Sequence, residues 1–296
     1  MSPLTISVVV GAKNTPPSMV HCLSALERQA GNQGAEIILV DGSTAGAAEF
    51  LAGRFPQVRL LRGDPTHLVP QLWKQGYEGA SGTIIAFTNA NLVPAEDWLE
   101  QIAQSHTRRS DEEVAGVGGP VEGPVNGSWR DWTLYFARYS AYLPPGPAGP
   151  THDLAGDNAA YKKSDLERCY LEMRAGFWES LVHARLIAGG KTLVKNPAMR
   201  VRLASAGSLG EMARMRFHHG RYFGSTRPGN AASIKRLFRI LTAPLVPLVL
   251  FYRIARRVFT QRRDWFPHFL RAIPGLAVLL VAWSLGEALG YIFPEA

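Results

Sequence analysis

Three short apolar runs in the first ninety residues constrain this chain most: "ISVVV" from Ile6, "EIILVD" from Glu36 and "TIIAFTN" from Thr83. Each is dense in β-branched residues and lacks polar alternation, the pattern of a strand buried on both faces. Segments of helical character lie between them. Residues 17–30 place Val20, Leu23, Ala25 and Leu26 at helical spacing, and "AAEFLAGRFP", "LVPQLWKQGYEGA" and "PAEDWLEQIAQSH" read as further helices. "VRLLRG" reads as another strand. Strands alternating with helices predict an α/β fold, a mostly parallel sheet with helices on both faces. Ligands of such sheets bind beyond the carboxyl ends of the strands. Asn14, Asp41, Asn89 and Asn91 all fall at those ends.

Residues 114–160 are rich in Gly and Pro and read as a strand, loops and a flexible lid. "AAYKKSDLERC" begins another strand-to-helix unit, and "GFWESLVHARLIAGG" reads as a helix closed by a Gly pair. The character changes near residue 231. Ile240 to Tyr252 is uncharged, contains Pro244 and Pro247, and is too short for a span of about 20 apolar residues. Basic clusters flank both its ends, which predicts an interfacial or re-entrant helix at 240–252. Ile273 to Phe293 carries only Glu287 and is long enough to cross a bilayer. The expected organisation is a catalytic domain over 1–230 and a membrane-associated helical tail over 231–296.

Charge sharpens that division. The formal charge of +8 is concentrated in residues 235–271, which hold nine Lys and Arg against Asp264 alone. These cations flank hydrophobic runs, which points to an anionic membrane surface and away from nucleic acid. Two cysteines without CxxC spacing predict a reducing compartment. The stretch before Ile6 has no basic region or cleavage site, so no signal peptide is expected. "GAKN" after the first strand is not the glycine fingerprint of a dinucleotide-binding oxidoreductase.

Several residues carry candidate chemistry. Asp41 at a strand end suits a carboxylate that accepts a base N–H, or an Asx turn. Asn89 and Asn91 can donate to phosphates, offer carbonyl oxygens to a cation, or cap a turn before Pro94. Glu179, near a helix start, can remove a proton from an acceptor hydroxyl, or simply favour the helix dipole. Asp157 and Asn158 can hold sugar or acceptor hydroxyls, or form a turn. His218, His219, Arg221 and Arg227 form a basic, aromatic cluster able to neutralise a leaving diphosphate or to face lipid headgroups.

In this order the segments resemble family 2 glycosyltransferases of the GT-A fold. "ISVVVGAKN" resembles the opening strand and loop, with Gly11 where the family usually has Pro. "EIILVDGST" resembles the uridine-binding strand and carries Asp41 across. "QGYEGASGTIIAFTNANLVPAEDWL" is similar to the helix, strand and metal motif, with the family's Asp-x-Asp standing as Asn89-Ala90-Asn91. "GDNAAYKKSDL" resembles the acceptor-side strand, "GFWESLVHARLIAGG" the segment of the catalytic carboxylate, which maps to Glu179, and "MRFHHGRYFGSTR" the basic segment before a membrane tail. The resemblance implies sugar transfer, with inversion, from a nucleotide diphosphate donor to a lipid or polysaccharide-precursor acceptor. It implies a catalytic domain on the cytoplasmic side and a nucleotide site drawn from Gly11, Ala12, Asn14, Asp41 and Asn89. His219 and Arg221 would sit on the diphosphate. Asn91 would be the residue nearest to a Mg or Mn ion, a cofactor the Asn-x-Asn sequence leaves open. The alternative is a transferase-like binding or regulatory protein at the membrane without turnover.

Overall fold

The computed structural model describes residues 4–13, 18–44, 51, 53–108, 113–226 and 233–293. Half of the segment "AAEFLAGRFP", expected as a helix, lies outside the described residues, as do Asn14 and Arg227. In chain order the elements are β1 (Ile6–Ala12), α1 (Ser18–Gln33), β2 (Glu36–Asp41), β3 (Val58–Arg62), α2 (Val69–Glu78), β4 (Ile84–Asn89), β5 (Leu92–Pro94), α3 (Trp98–Arg108), β6 (Val114–Gly118), β7 (Val121–Glu122) and α4 (Trp129–Tyr139). There follow β8 (Gly149–Thr151), a 3₁₀ turn (Gly156–Asn158), β9 (Ala159–Lys162), α5 (Lys163–Glu167), α6 (Glu179–Ala188), β10 (Thr192–Lys195), β11 (Val201–Leu203), α7 (Leu209–Thr226), α8 (Ser233–Thr242), α9 (Val246–Gln261) and α10 (Phe266–Ile292). They divide into two compact units, one of Met1–Glu122 with Pro144–Ser205, the other of Gly123–Leu143 with Ala206–Ala296.

The first unit is the predicted α/β body. Its main sheet has the order β3-β2-β1-β4-β9-β6-β10-β8. Six strands run one way, and β9 and β8 run against them. The apolar runs occupy the centre, and every residue of β1 and β4 is buried. Trp73, Phe87, Tyr161 and Phe177 pack together in the core, with the Phe87 and Phe177 rings 4.2 Å apart. A second sheet, β5-β11-β7, was not anticipated. It corrects the expected start of the helix after β4: Leu92–Pro94 pairs antiparallel with Val201–Leu203, so α3 begins at Trp98 and not at Pro94.

Strand direction gathers the site. Ala12 pairs with Asp41 across β1 and β2, and Gly11 pairs with Asn89 across β1 and β4. Because β9 is antiparallel to β4, with Ala159 opposite Phe87, its first residues lie at that same edge. The turn Gly156–Asn158 therefore arrives beside the carboxyl ends of β1, β2 and β4.

The second unit is helical, and α4 within it replaces part of the expected lid. Ser128 caps α4 and Asp131 closes the capping box. Helices α7 and α10 meet through four glycines. A Cβ at Gly220 or Gly224 would overlap the carbonyls of Trp283 or Glu287, and one at Gly286 or Gly290 those of Phe217 or Arg221. This is a reciprocal small-xxx-small contact in which backbone meets backbone. Glu287 is buried there and accepts hydrogen bonds from the Trp283 indole at 3.1 Å and from the Tyr291 hydroxyl. Large apolar side chains on α8 and α9 face outward, including Ile234 at 85% and Phe238 at 65% exposure. By length and composition, Ile234–Gln261 and Arg263–Ile292 are both sufficient to cross a membrane.

Candidate active site

At the carboxyl end of β2, the Asp41 carboxylate is buried. One oxygen accepts the Ser43 backbone N–H at 2.9 Å and the other the Arg62 guanidinium at 3.1 Å. The Asx turn and the anchored carboxylate thus coexist, since a carboxylate has lone pairs for more than two donors. Gly11 and Ala12 form the neighbouring strand end, and the Ala12 and Gly11 carbonyls accept from Gly42 and Ala90. Behind Gly11 the Trp73 indole donates to the Thr88 carbonyl at 2.7 Å, and a Cβ at position 11 would press on that ring.

At the end of β4, Asn89 uses both ends of its amide. Its Oδ1 accepts the Asn91 backbone N–H at 2.9 Å and its Nδ2 donates to Asp157 Oδ2 at 2.8 Å. Asn91 is half-buried, and its carbonyl accepts from Ala204. Asp157 is buried in the turn before β9. Its neighbour Asn158 serves as a pin: its Oδ1 accepts the Trp98 indole N–H, and its Nδ2 donates to the carbonyls of Pro120 and Met199. Those bonds occupy Asn158 within the protein, and Asp157 is the member of the pair that faces Asn89.

Glu179 is the first residue of α6, a position where the dipole favours a carboxylate. A Cβ on Gly156 would stand 3.3 Å from Glu179 Cδ and 3.2 Å from the Trp73 ring, so this carboxylate lies against the turn that carries Asp157. One helical turn on, the buried His183 links two residues, with Nε2 2.7 Å from the Tyr161 hydroxyl and Nδ1 3.1 Å from Asp153 Oδ1. Burial, then the charges of Glu179 and Asp153, push the Tyr161 hydroxyl pKa well up, so it stays protonated. An ionised Asp153 only accepts, so Nδ1 of His183 donates to it, and the other ring nitrogen shares its bond with the Tyr161 hydroxyl. Sequence reasoning missed this chain and the Asn89–Asp157 pair, because no local signal joins residues 22, 30 or 68 apart.

His219 and Arg221 belong to α7 in the second unit. Burial first, then Arg138, Arg216 and His218, push the His219 pKa down to about 3, against the pull of the Met215 carbonyl. Its Nδ1 bonds that carbonyl at 2.8 Å and so carries the proton. That shift favours the uncharged imidazole at neutral pH, with Nδ1 as its N–H. The cationic character of the segment resides in its arginines.

The donors at the β4 end do not match a divalent cation. Mg²⁺ and Mn²⁺ favour anionic oxygens. Here residues 89 and 91 are amides, and Asn89 turns its N–H end, not its oxygen, toward the one carboxylate it touches. Among the described residues no three His, Cys, Asp or Glu side chains form a cluster able to hold a metal.

The sheet order, the opposed β9 and the polar strand ends define the GT-A fold of nucleotide-diphospho-sugar transferases. Solved structures share it. The mannosyltransferase PcManGT from Pyrobaculum calidifontis, in complex with GDP-Man and Mn²⁺, matches with a TM-score of 0.55 at 17% identity, over 95% of this chain and 86% of that one. GalNAc-T7 with UDP, GalNAc and Mn²⁺ matches at 0.53 and 14% identity, over 77% of this chain and 52% of that one. TarS 1-349 of S. aureus matches at 0.51 and 10% identity, over 97% and 89%. A comparison with curated protein sequences gives no match. The model of glycosyl transferase family 2 matches residues 7–170, and the chain belongs to that family.

Proposed function

We propose that this protein is a membrane-associated, inverting glycosyltransferase that moves a sugar from a nucleotide diphosphate donor to a lipid or polysaccharide-precursor acceptor. The observation that carries the reading is the convergence of Glu179, Asp157 and Asn89, distant in sequence, on the strand edge that also holds Asp41. In this reading Asp41, the Gly11–Ala12 strand end and Asn14 receive the base. Asn89 and Asn91 border the diphosphate, Asp157 orders the hydroxyl side, and Arg221 serves the leaving group. Glu179 takes the proton of an acceptor hydroxyl as its oxygen bonds the anomeric carbon. The bond from that carbon to the diphosphate oxygen breaks, and the nucleoside diphosphate leaves with the electron pair. One base and direct attack invert the centre.

The outward apolar residues of α8 and α9, with the basic flanks of residues 235–271, support a tail in contact with anionic lipid and a catalytic body on the cytoplasmic side. The donor classes of the structural neighbours favour UDP- and GDP-sugars as first probes. The test is a thermal-shift screen of the full chain in detergent against those sugars, followed by transfer to membrane extracts. A melting point raised by one donor class, as mass action requires, together with turnover, supports the reading. Saturable binding without turnover on any extract would replace it with the binding or regulatory protein.

A further inference from the structure

Asn89 and Asp157 form a buried amide–carboxylate pair at the edge where a GT-A site presents its donor. The orientation of the amide is fixed from within. The Asn91 N–H needs an acceptor and takes Asn89 Oδ1 at 2.9 Å, so Nδ2 has to face Asp157, which it meets at 2.8 Å. Asn89 is 8% and Asp157 1% exposed, so water contributes little to either. An aspartate at 89 could still accept from Asn91, but its second oxygen would meet Asp157 Oδ2 at hydrogen-bond distance. Two carboxylates that close do not both stay ionised without a cation between them. With asparagine the N–H satisfies Asp157, and the cation has no place.

We infer that the Asn89–Asp157 pair substitutes for a divalent cation: nucleoside diphosphate binds this strand end without metal, and the single change Asn89→Asp turns the pair into a divalent cation site. This rests on the nucleotide-sugar reading for its first half only. The second half concerns two side chains and Mn²⁺ alone.

The experiment uses the full chain in detergent and titration calorimetry. Wild-type protein is titrated with UDP and with GDP, in EDTA and in Mn²⁺. Dissociation constants within about threefold of each other support the inference, and tightening by about tenfold or more in Mn²⁺ overturns it. Mn²⁺ alone is then titrated into wild type and Asn89→Asp. Binding by the variant at least about tenfold tighter than by wild type is expected. The variant should melt lower than wild type in EDTA and regain its melting point in Mn²⁺. The exchange variant Asn89→Asp/Asp157→Asn restores one amide and one carboxylate, so it should recover stability and lose Mn²⁺ binding. An Asn89→Asp protein as stable as wild type in EDTA and indifferent to Mn²⁺ overturns the pairing. If Asn89→Asp does not fold, the exchange variant and the wild-type titrations still decide. Absence of both UDP and GDP binding counts against the nucleotide-sugar reading, while the Mn²⁺ titrations still judge the pair.

Discussion

The two units solve the same solubility problem in opposite ways. In the first, large apolar side chains point inward, and among its described residues only Tyr170 and Leu171 are large, apolar and exposed. At its strand ends buried polar groups are paired, as Asp41 with Arg62 and Asp157 with Asn89. In the second, Leu237, Phe238, Leu248 and Leu285 face outward while Glu287 is inside. Exposed apolar area on this scale marks a surface that contacts protein or membrane. The inward carboxylate is tolerated because Trp283 and Tyr291 donate to it. Burial therefore encloses polar pairs at strand ends in one unit and a helix pairing in the other.

That contrast can be broken at four points. The largest effect is expected at the site. Glu179→Gln should lower transfer by about 10²- to 10⁴-fold, the range of a lost general base, while leaving nucleotide binding within about twofold. Single-turnover rates beside a binding titration check this, and an equal loss of both would make Glu179 structural. Next comes the glycine contact of the second unit. Gly286→Val drives a branched side chain into the Phe217 carbonyl and should cost about 3 kcal/mol or more, read as a lower melting point in detergent.

The third test concerns His106 in the first unit. Burial pushes its pKa down to about 4 against the pull of the Ala160 carbonyl, and Lys162 adds to the push. The unfolded chain takes up this proton near pH 6.5 and the folded chain only near 4, so the unfolded state binds more protons between those values. Stability is complete above pH 6.5 and falls as the pH drops through that window, by on the order of 3 kcal/mol at pH 4. His106→Leu should flatten the acid slope of thermal melts, and an unchanged slope would assign the loss elsewhere. The smallest effect is expected at the outward apolar residues of α8. The double change Ile234→Ser/Phe238→Ser should reduce partitioning onto phosphatidylserine-containing vesicles by about tenfold. Unchanged sedimentation with the vesicles would detach α8 from membrane contact.

The body of the fold was legible because β1, β2 and β4 are buried on both faces and write that burial as unbroken apolar runs. Strand ends followed, and with them Asp41 and Asn89. Short pairings leave no such record: β5 and β11 have three residues each, too few for any period. Helix α4 was hidden by the Gly and Pro around it, although Ser128 with Asp131 and the spacing of Trp132, Tyr135, Phe136 and Tyr139 carried its signature. The partners of Asn89 and His183 were beyond reach, because long-range hydrogen bonds are set by strand order and not by neighbours in sequence.

The four glycines of α7 and α10 bear on how this protein can be cut. A shortened chain ending near residue 235 would drop Gly286 and Gly290 but keep Gly220 and Gly224, leaving α7 with bare backbone where a neighbour had been. Each mid-helix glycine costs roughly 0.5–1 kcal/mol once its packing is gone, so that helix would fray and offer its aromatic residues to aggregation. A fragment confined to the first unit calls for a different border. It would leave out residues 123–143 and the chain from Ala206 onward, so that neither half of the glycine pairing is left without the other.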